Sequence, residues 1–224
     1  MPTSSEHFFS VSRTARYYTL GQPTENTRYI WIVCHGYGQL AASFIKNFAD
    51  IASDRHFIVA PEGLSRFYWN GFGGKPVASW MTSEAREYEI KDYVSYLDSL
   101  YLHVRTQFAP QQDIQLIALG FSQGATTLSR WLTLGHTSAN VGIFWAGNIA
   151  HDLDSERVRQ AWSSIRLWAV YGTEDEFIQP EMIDAQRKLL LNNNISHLNT
   201  LTFSGKHELN TPILMQILSD IEAF

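Results

Sequence analysis

Residues 114–134 read Ile-Gln-Leu-Ile-Ala-Leu-Gly-Phe-Ser-Gln-Gly-Ala-Thr-Thr-Leu-Ser-Arg-Trp-Leu-Thr-Leu. The first six are apolar and strand-like. The stretch from Ala125 to Leu134 reads as a helix. Between them lies Gly120-Phe-Ser-Gln-Gly124, a G-x-S-x-G pentapeptide at a change from strand to helix. A tight turn there pushes Ser122 out at the end of a sheet, and small flanking glycines make the turn sterically possible. The helix N-terminus behind it offers free N–H groups and a positive dipole end to a developing oxyanion. Ser122 is therefore the candidate nucleophile.

Outward from this segment, apolar runs alternate with helical patterns. Tyr29–Cys34 is a continuous apolar run, as expected for a strand buried on both faces. His56–Ala60 is the next strand, stopped by Pro61. His7–Val11 and Arg16–Leu20 read as an opening pair of strands, and Leu40–Ser53 as a helix with Phe44, Ile45, Phe48 and Ile51 on one side. Glu84–Phe108 is the clearest helix, with Ile90, Val94, Leu97, Tyr101, Val104 and Phe108 recurring at three- and four-residue steps. Strands follow at 141–145, 166–171 and 198–203, and helices at 180–192 and 212–224, with a short helical pattern through Val158 and Trp162. Strands separated by helices imply βαβ units, an α/β fold with a mostly parallel central sheet and helices on both faces. The stretch between 145 and 166 is too short and polar for a mobile apolar lid, so no sizeable cap is expected.

The chain of 224 residues is 45% hydrophobic and 17% charged, which suits a single domain over 1–224. The formal net charge is -5, and no Lys/Arg cluster is long enough to suggest a nucleic-acid footprint. Cys34 is the only cysteine, so no internal disulfide and no thiolate metal site are expected. No apolar stretch approaches the ~20 residues that span a bilayer. The first residues lack a basic segment followed by an apolar one, so a cytoplasmic location is the expectation.

Ligands of such sheets bind beyond the carboxyl ends of the strands, so chemistry should sit just after them. After Cys34 comes His35-Gly-Tyr-Gly-Gln39, a candidate second oxyanion site in which the Tyr37 N–H joins the Gln123 N–H. His35 itself reads as structural. After Tyr171 comes Gly172-Thr-Glu-Asp-Glu176, where a carboxylate can orient an imidazole. Asp175 has the best position, and Glu174 and Glu176 compete with it. After Phe203 comes Ser204-Gly-Lys-His207, a glycine-containing loop that suits a general base. His151 is its competitor. The order Ser122, Asp175, His207 is that of a serine-nucleophile triad on an α/β sheet. Phe67 and Trp69, together with Trp80, read as the substrate wall, and Phe177 as a further lining residue. No H-E-x-x-H occurs, and His151-Asp-Leu-Asp154 reads as a solvated loop rather than a metal site. No cofactor or metal is expected.

The chain resembles the small α/β-hydrolases of the phospholipase/carboxylesterase type, which include acyl-protein thioesterases. The segments that carry the resemblance are His35-Gly-Tyr-Gly38, Ala60-Pro-Glu-Gly63, Ser79-Trp-Met81, Gly120-Phe-Ser-Gln-Gly124, Tyr171-Gly-Thr-Glu-Asp175 and Gly205-Lys-His207. It implies an α/β-hydrolase fold, a triad of Ser122, Asp175 and His207, and oxyanion donors at Tyr37 and Gln123. The chain departs from that pattern at Tyr171, Ala125 and Lys206, and residues 67–74 do not resemble a thioesterase acyl channel. The expected activity is that of a serine carboxylesterase on a small-molecule ester, as a monomer or homodimer, without nucleic acid or membrane as partner. The competing readings are a lysophospholipase or acyl-protein thioesterase, and a non-catalytic binding module on the same fold.

Overall fold

The computed structural model describes residues 3–195 and 197–223. Its main sheet has seven strands in the order β1-β3-β2-β6-β7-β8-β9. These are β1 (Tyr17–Leu20), β2 (Tyr29–Cys34), β3 (His56–Pro61), β6 (Gln115–Phe121), β7 (Val141–Trp145), β8 (Arg166–Gly172) and β9 (Leu198–Phe203). Only β1 runs antiparallel, pairing Tyr17 with Pro61 and Leu20 with Ile58. All the other neighbours are parallel. A second sheet is a ribbon of β4 (Ser65–Tyr68) and β5 (Pro76–Ser79). This is an α/β-hydrolase fold.

Alternation along β2 shows how the helices cover the sheet. Ile30, Ile32 and Cys34 pack into one core with residues of α2 (Arg86–Arg105), α3 (Gln123–Leu134) and α4 (Ser155–Trp162). Tyr29, Trp31 and Val33 point to the other face. They pack there with α1 (Ala41–Phe44), the 3-10 turn Ile45–Phe48 and α6 (Thr211–Glu222). Both faces are buried, which is why β2 is apolar at every position. Helix α5 (Pro180–Asn192) starts with Pro180 at its first turn, where the missing N–H costs no hydrogen bond.

Two of the expected elements differ. His7–Val11 forms no strand. β3 has β2 on one edge and β1 on the other, and Phe8 stacks on Tyr88 of α2 instead, with ring centroids 4.2 Å apart. The expected helix 40–53 is one α turn followed by a 3-10 turn. The Asn47 side chain donates to the Phe44 carbonyl at 2.8 Å, one of the local bonds with which asparagine competes against a regular helix. The hairpin β4–β5 was not expected as strands at all. The last helix was expected to reach Phe224, which lies outside the described residues. Helix α4 is the short pattern through Val158 and Trp162, both buried. The Asp154 carboxylate caps it by accepting from the Arg157 N–H at 2.9 Å. It packs on the body of the fold and is no lid.

Candidate active site

Ser122 follows β6 directly and is the N-cap of α3, with φ 54 and ψ -118. This is a left-handed conformation that a residue with a Cβ rarely adopts, and it is held by close backbone packing. A side chain on Gly120 would strike the carbonyl of Gly124, and one on Gly124 would strike the carbonyl of Cys34. The two glycines of the pentapeptide are thus required because strand, turn and helix touch at main-chain distance. The Ser122 N–H donates to the Trp145 carbonyl of β7 at 2.9 Å.

His207 lies in the loop after β9. Its Nε2 is 2.9 Å from Ser122 Oγ and its Nδ1 is 2.8 Å from Asp175 Oδ2. The Asp175 side chain is fully buried, whereas that of His207 keeps 21% of its surface open. The other carboxylate oxygen of Asp175 accepts from the Phe177 N–H at 2.9 Å. A buried carboxylate on Nδ1 fixes the tautomer and leaves Nε2 facing the serine. The loops after β8 and β9 are joined by Glu174 N–H to the Gly205 carbonyl, 2.9 Å, and by Thr173 N–H to the Phe203 carbonyl, 2.8 Å. Gly172 leaves no room for a side chain against the Gly205 and Lys206 carbonyls. Two rings pack on the imidazole, Phe121 at 5.0 Å and Phe177 at 4.8 Å between centroids.

The two candidate oxyanion donors lie in the turn after β2 and directly after Ser122. Neither the Tyr37 nor the Gln123 N–H has a hydrogen-bond acceptor among the described residues. The turn 36–39 is drawn against the serine, since a Cβ on Gly36 would stand 3.2 Å from Ser122 Cβ. The Gln123 side chain is used elsewhere. It donates to the Met81 carbonyl at 2.9 Å and accepts from the Trp80 N–H at 3.1 Å, which ties the loop after β5 to α3. His35 is buried. Its Nδ1 bonds the Gly36 carbonyl at 2.8 Å and its Nε2 accepts from the Gly63 N–H at 3.0 Å. That pair of bonds needs a neutral ring, and burial pushes the His35 pKa down.

The expected wall residues divide. Phe67 and Trp69 lie on or just beyond β4 and form a cluster with the Tyr37 ring, at 5.5 and 5.6 Å respectively. Trp69 and Phe177 are 52% and 66% exposed, so their faces are open to a ligand. Trp80 is a correction. Its side chain is 1% exposed, its indole N–H donates to the His35 carbonyl at 2.8 Å, and its ring packs on His35 and Tyr93. It supports the turn after β2 from within the core and offers no surface to substrate. The ring of Tyr37 and that of Phe121 were not singled out from sequence. Tyr37 lies between two glycines and Phe121 within the pentapeptide, and only the register of β2 and β6 brings either to the site.

Ser204 Oγ donates to Glu174 at 3.1 Å. His151 is exposed, and its neighbour Asp152 is engaged by Arg86 at 2.7 Å and Arg130 at 3.0 Å. Burial opposes ionisation of Asp152, but the hydrogen bonds from these arginines outweigh it and hold its pKa below the ordinary value. Among the described residues no three His, Cys, Asp or Glu side chains gather as a metal-ligating group. No described helix is long and apolar enough to cross a membrane. Cys34 is buried, and burial raises its thiol pKa well above the ordinary range, which leaves it unreactive.

The phospholipase/carboxylesterase family profile matches residues 17–224, nearly the whole chain. The chain belongs to the phospholipase/carboxylesterase family. It is therefore a hydrolase by family. Its fold is similar to that of acyl-protein thioesterase 2 from Zea mays, with a TM-score of 0.73 and 17% identity over 94% of this chain and 99% of that one. It is also similar to esterase PE8, with a TM-score of 0.67 and 17% identity over 94% and 99% of the two chains. A phospholipase/carboxylesterase from Dyadobacter fermentans matches with a TM-score of 0.61 and 14% identity over 93% and 96%. No curated protein sequence matches.

Proposed function

We propose that the protein is a serine carboxylesterase that cleaves small carboxylic esters through an acyl-enzyme on Ser122. The observation that carries this reading is the unbroken chain from Ser122 Oγ through both nitrogens of His207 to a buried Asp175. His207 Nε2 takes the Ser122 proton as Oγ bonds the ester carbonyl carbon. The carbonyl oxygen becomes an oxyanion between the Tyr37 and Gln123 N–H groups. The ester C–O bond then breaks, and His207 returns its proton to the departing alkoxide. Water enters, gives a proton to His207 and attacks the acyl carbon, and the acid leaves as Ser122 recovers its hydrogen. Asp175 holds the ring and stabilises its charged form throughout.

A fluorophosphonate probe with peptide mass mapping tests the reading. An adduct on Ser122 supports it. An adduct on another serine, or no adduct with no ester turnover, overturns it and leaves the non-catalytic binding module. The related reading as a lysophospholipase or acyl-protein thioesterase draws on the fold shared with acyl-protein thioesterase 2. A panel of acyl lengths and thioesters separates it. The open aromatic rim favours acetyl and butyryl over palmitoyl esters, and a preference for palmitoyl would favour the thioesterase reading. Chelators are expected to change nothing.

A further inference from the structure

The turn that would present Tyr37 to an oxyanion has glycine on both sides, and glycine costs nothing sterically in several orientations. Something must therefore hold that turn. From beneath, the main chain does so. The Gly38 N–H donates to the Ala78 carbonyl of β5 at 2.9 Å, and the Ala78 N–H donates to the Gln39 carbonyl at 3.1 Å. The Gln39 side chain accepts from the Gly36 N–H at 2.8 Å. From above, Trp69 does so. Gly38 has φ +73, and the space where its side chain would stand is filled by the indole. A Cβ there would lie 3.1 Å from Trp69 Cε3 and 3.2 Å from Cη2, and would collide with Cζ3. The Tyr37 ring leans on the same indole, 5.6 Å between centroids.

We propose that Trp69 is a positioning residue, a clamp whose indole seated on Gly38 keeps the Tyr37 N–H turned toward the oxyanion. This rests on the ester-hydrolase reading of Ser122 and goes beyond it. Trp69 then has a role that a cleft wall lacks. A wall changes how tightly substrate is held, whereas a clamp on a donor changes the transition state alone. Phe67 supplies the contrast, because it packs on Tyr37 and Trp69, whereas the three atoms nearest a Cβ on Gly38 all belong to the Trp69 indole.

The test uses an acetyl aryl ester with Trp69→Ala, Trp69→Phe and Phe67→Ala, a separate aliquot of each being titrated with the fluorophosphonate to show that Ser122 still labels and to count active sites. Trp69→Ala should lower kcat by about 10–100-fold with little change in KM, somewhat less than deleting an oxyanion donor outright. Trp69→Phe, which keeps a ring over Gly38, should recover most of that loss. Phe67→Ala should act mainly on KM. A trifluoromethyl ketone, which forms an oxyanion on the serine, should bind Trp69→Ala more weakly by the same factor as the loss in kcat/KM. If Trp69→Ala raises KM and leaves kcat alone, or if Trp69→Phe is no better than Trp69→Ala, the clamp is wrong while the esterase reading stands. If the wild-type protein neither labels at Ser122 nor turns over ester, both fall. Should Trp69→Ala fail to fold, Trp69→Leu takes its place in the comparison with Trp69→Phe.

Discussion

The loops that carry Ser122, Asp175 and His207 are held by main chain packed on main chain. The hairpin that carries Phe67 and Trp69 is paired through its own main chain, but its outward contact with the turn at Tyr37 is made of rings packed on rings. On the first side, side chains at Gly120, Gly124, Gly147 and Gly172 would each strike a neighbouring carbonyl. On the second, two four-residue strands end in a glycine-rich tip where Phe72 is fully exposed. The difference teaches where tolerance lies. Backbone contacts allow no substitution without movement, whereas ring contacts can be exchanged for other rings at modest cost. On the proposed function, proton transfer belongs to the rigid side, while the adaptable side contributes Trp69 over the turn at Gly38 and open ring surface to substrate.

The sharpest way to break this contrast is on the rigid side. Ser122→Ala should lower kcat by about 10⁴-fold or more with the fold intact, measured by ester turnover and a thermal melt. Asp175→Asn should follow closely, with a loss of about 10⁴-fold as the imidazole adopts the wrong tautomer. Glu174→Gln and Glu176→Gln should cost little, and the opposite pattern would mean that another acid orients the ring. Trp80→Ala sharpens the boundary between the sides. As a core indole it should cost about 3–5 kcal/mol of stability by denaturant titration, rather than shift acyl preference. On the adaptable side, Phe177→Ala should change KM for aryl esters several-fold, since an aromatic contact contributes about 0.5–1.5 kcal/mol beyond burial. A loss as large as that of Asp175→Asn would show that Phe177 holds His207 rather than substrate.

The rigid side is legible in the sequence and much of the other is not, for a physical reason. A backbone-to-backbone approach demands glycine at a fixed spacing, as in Gly120-Phe-Ser-Gln-Gly124, and so leaves a pattern in one dimension. Parallel strands buried on both faces leave long apolar runs, as in Tyr29–Cys34. A ring cluster leaves no spacing rule. Tyr37 meets Phe67 and Trp69 only because β5 pairs with the turn after β2 through Gln39 and Ala78. Trp80 illustrates the same limit. It lies in sequence beside the aromatic wall and points into the core. The short strands Ser65–Tyr68 and Pro76–Ser79 gave too little alternation to be seen.

His35 has one more consequence. It bridges the Gly36 carbonyl and the Gly63 N–H as a neutral ring, and it is joined by a second histidine, His56, that accepts from the Trp31 indole at 3.0 Å. Burial lowers the pKa of both below the ordinary value of 6.5. The unfolded chain therefore takes up protons on these two residues before the folded chain does. Stability attributable to them is complete above the ordinary histidine value and drains away as pH falls toward the folded values. A melt followed from neutral pH downward should show this loss beginning near 6.5, with His35→Gln blunting it. Acidification would thus reach the turn beneath Tyr37 through the proton balance of folding, by way of a histidine that lies outside the chain from Ser122 to Asp175.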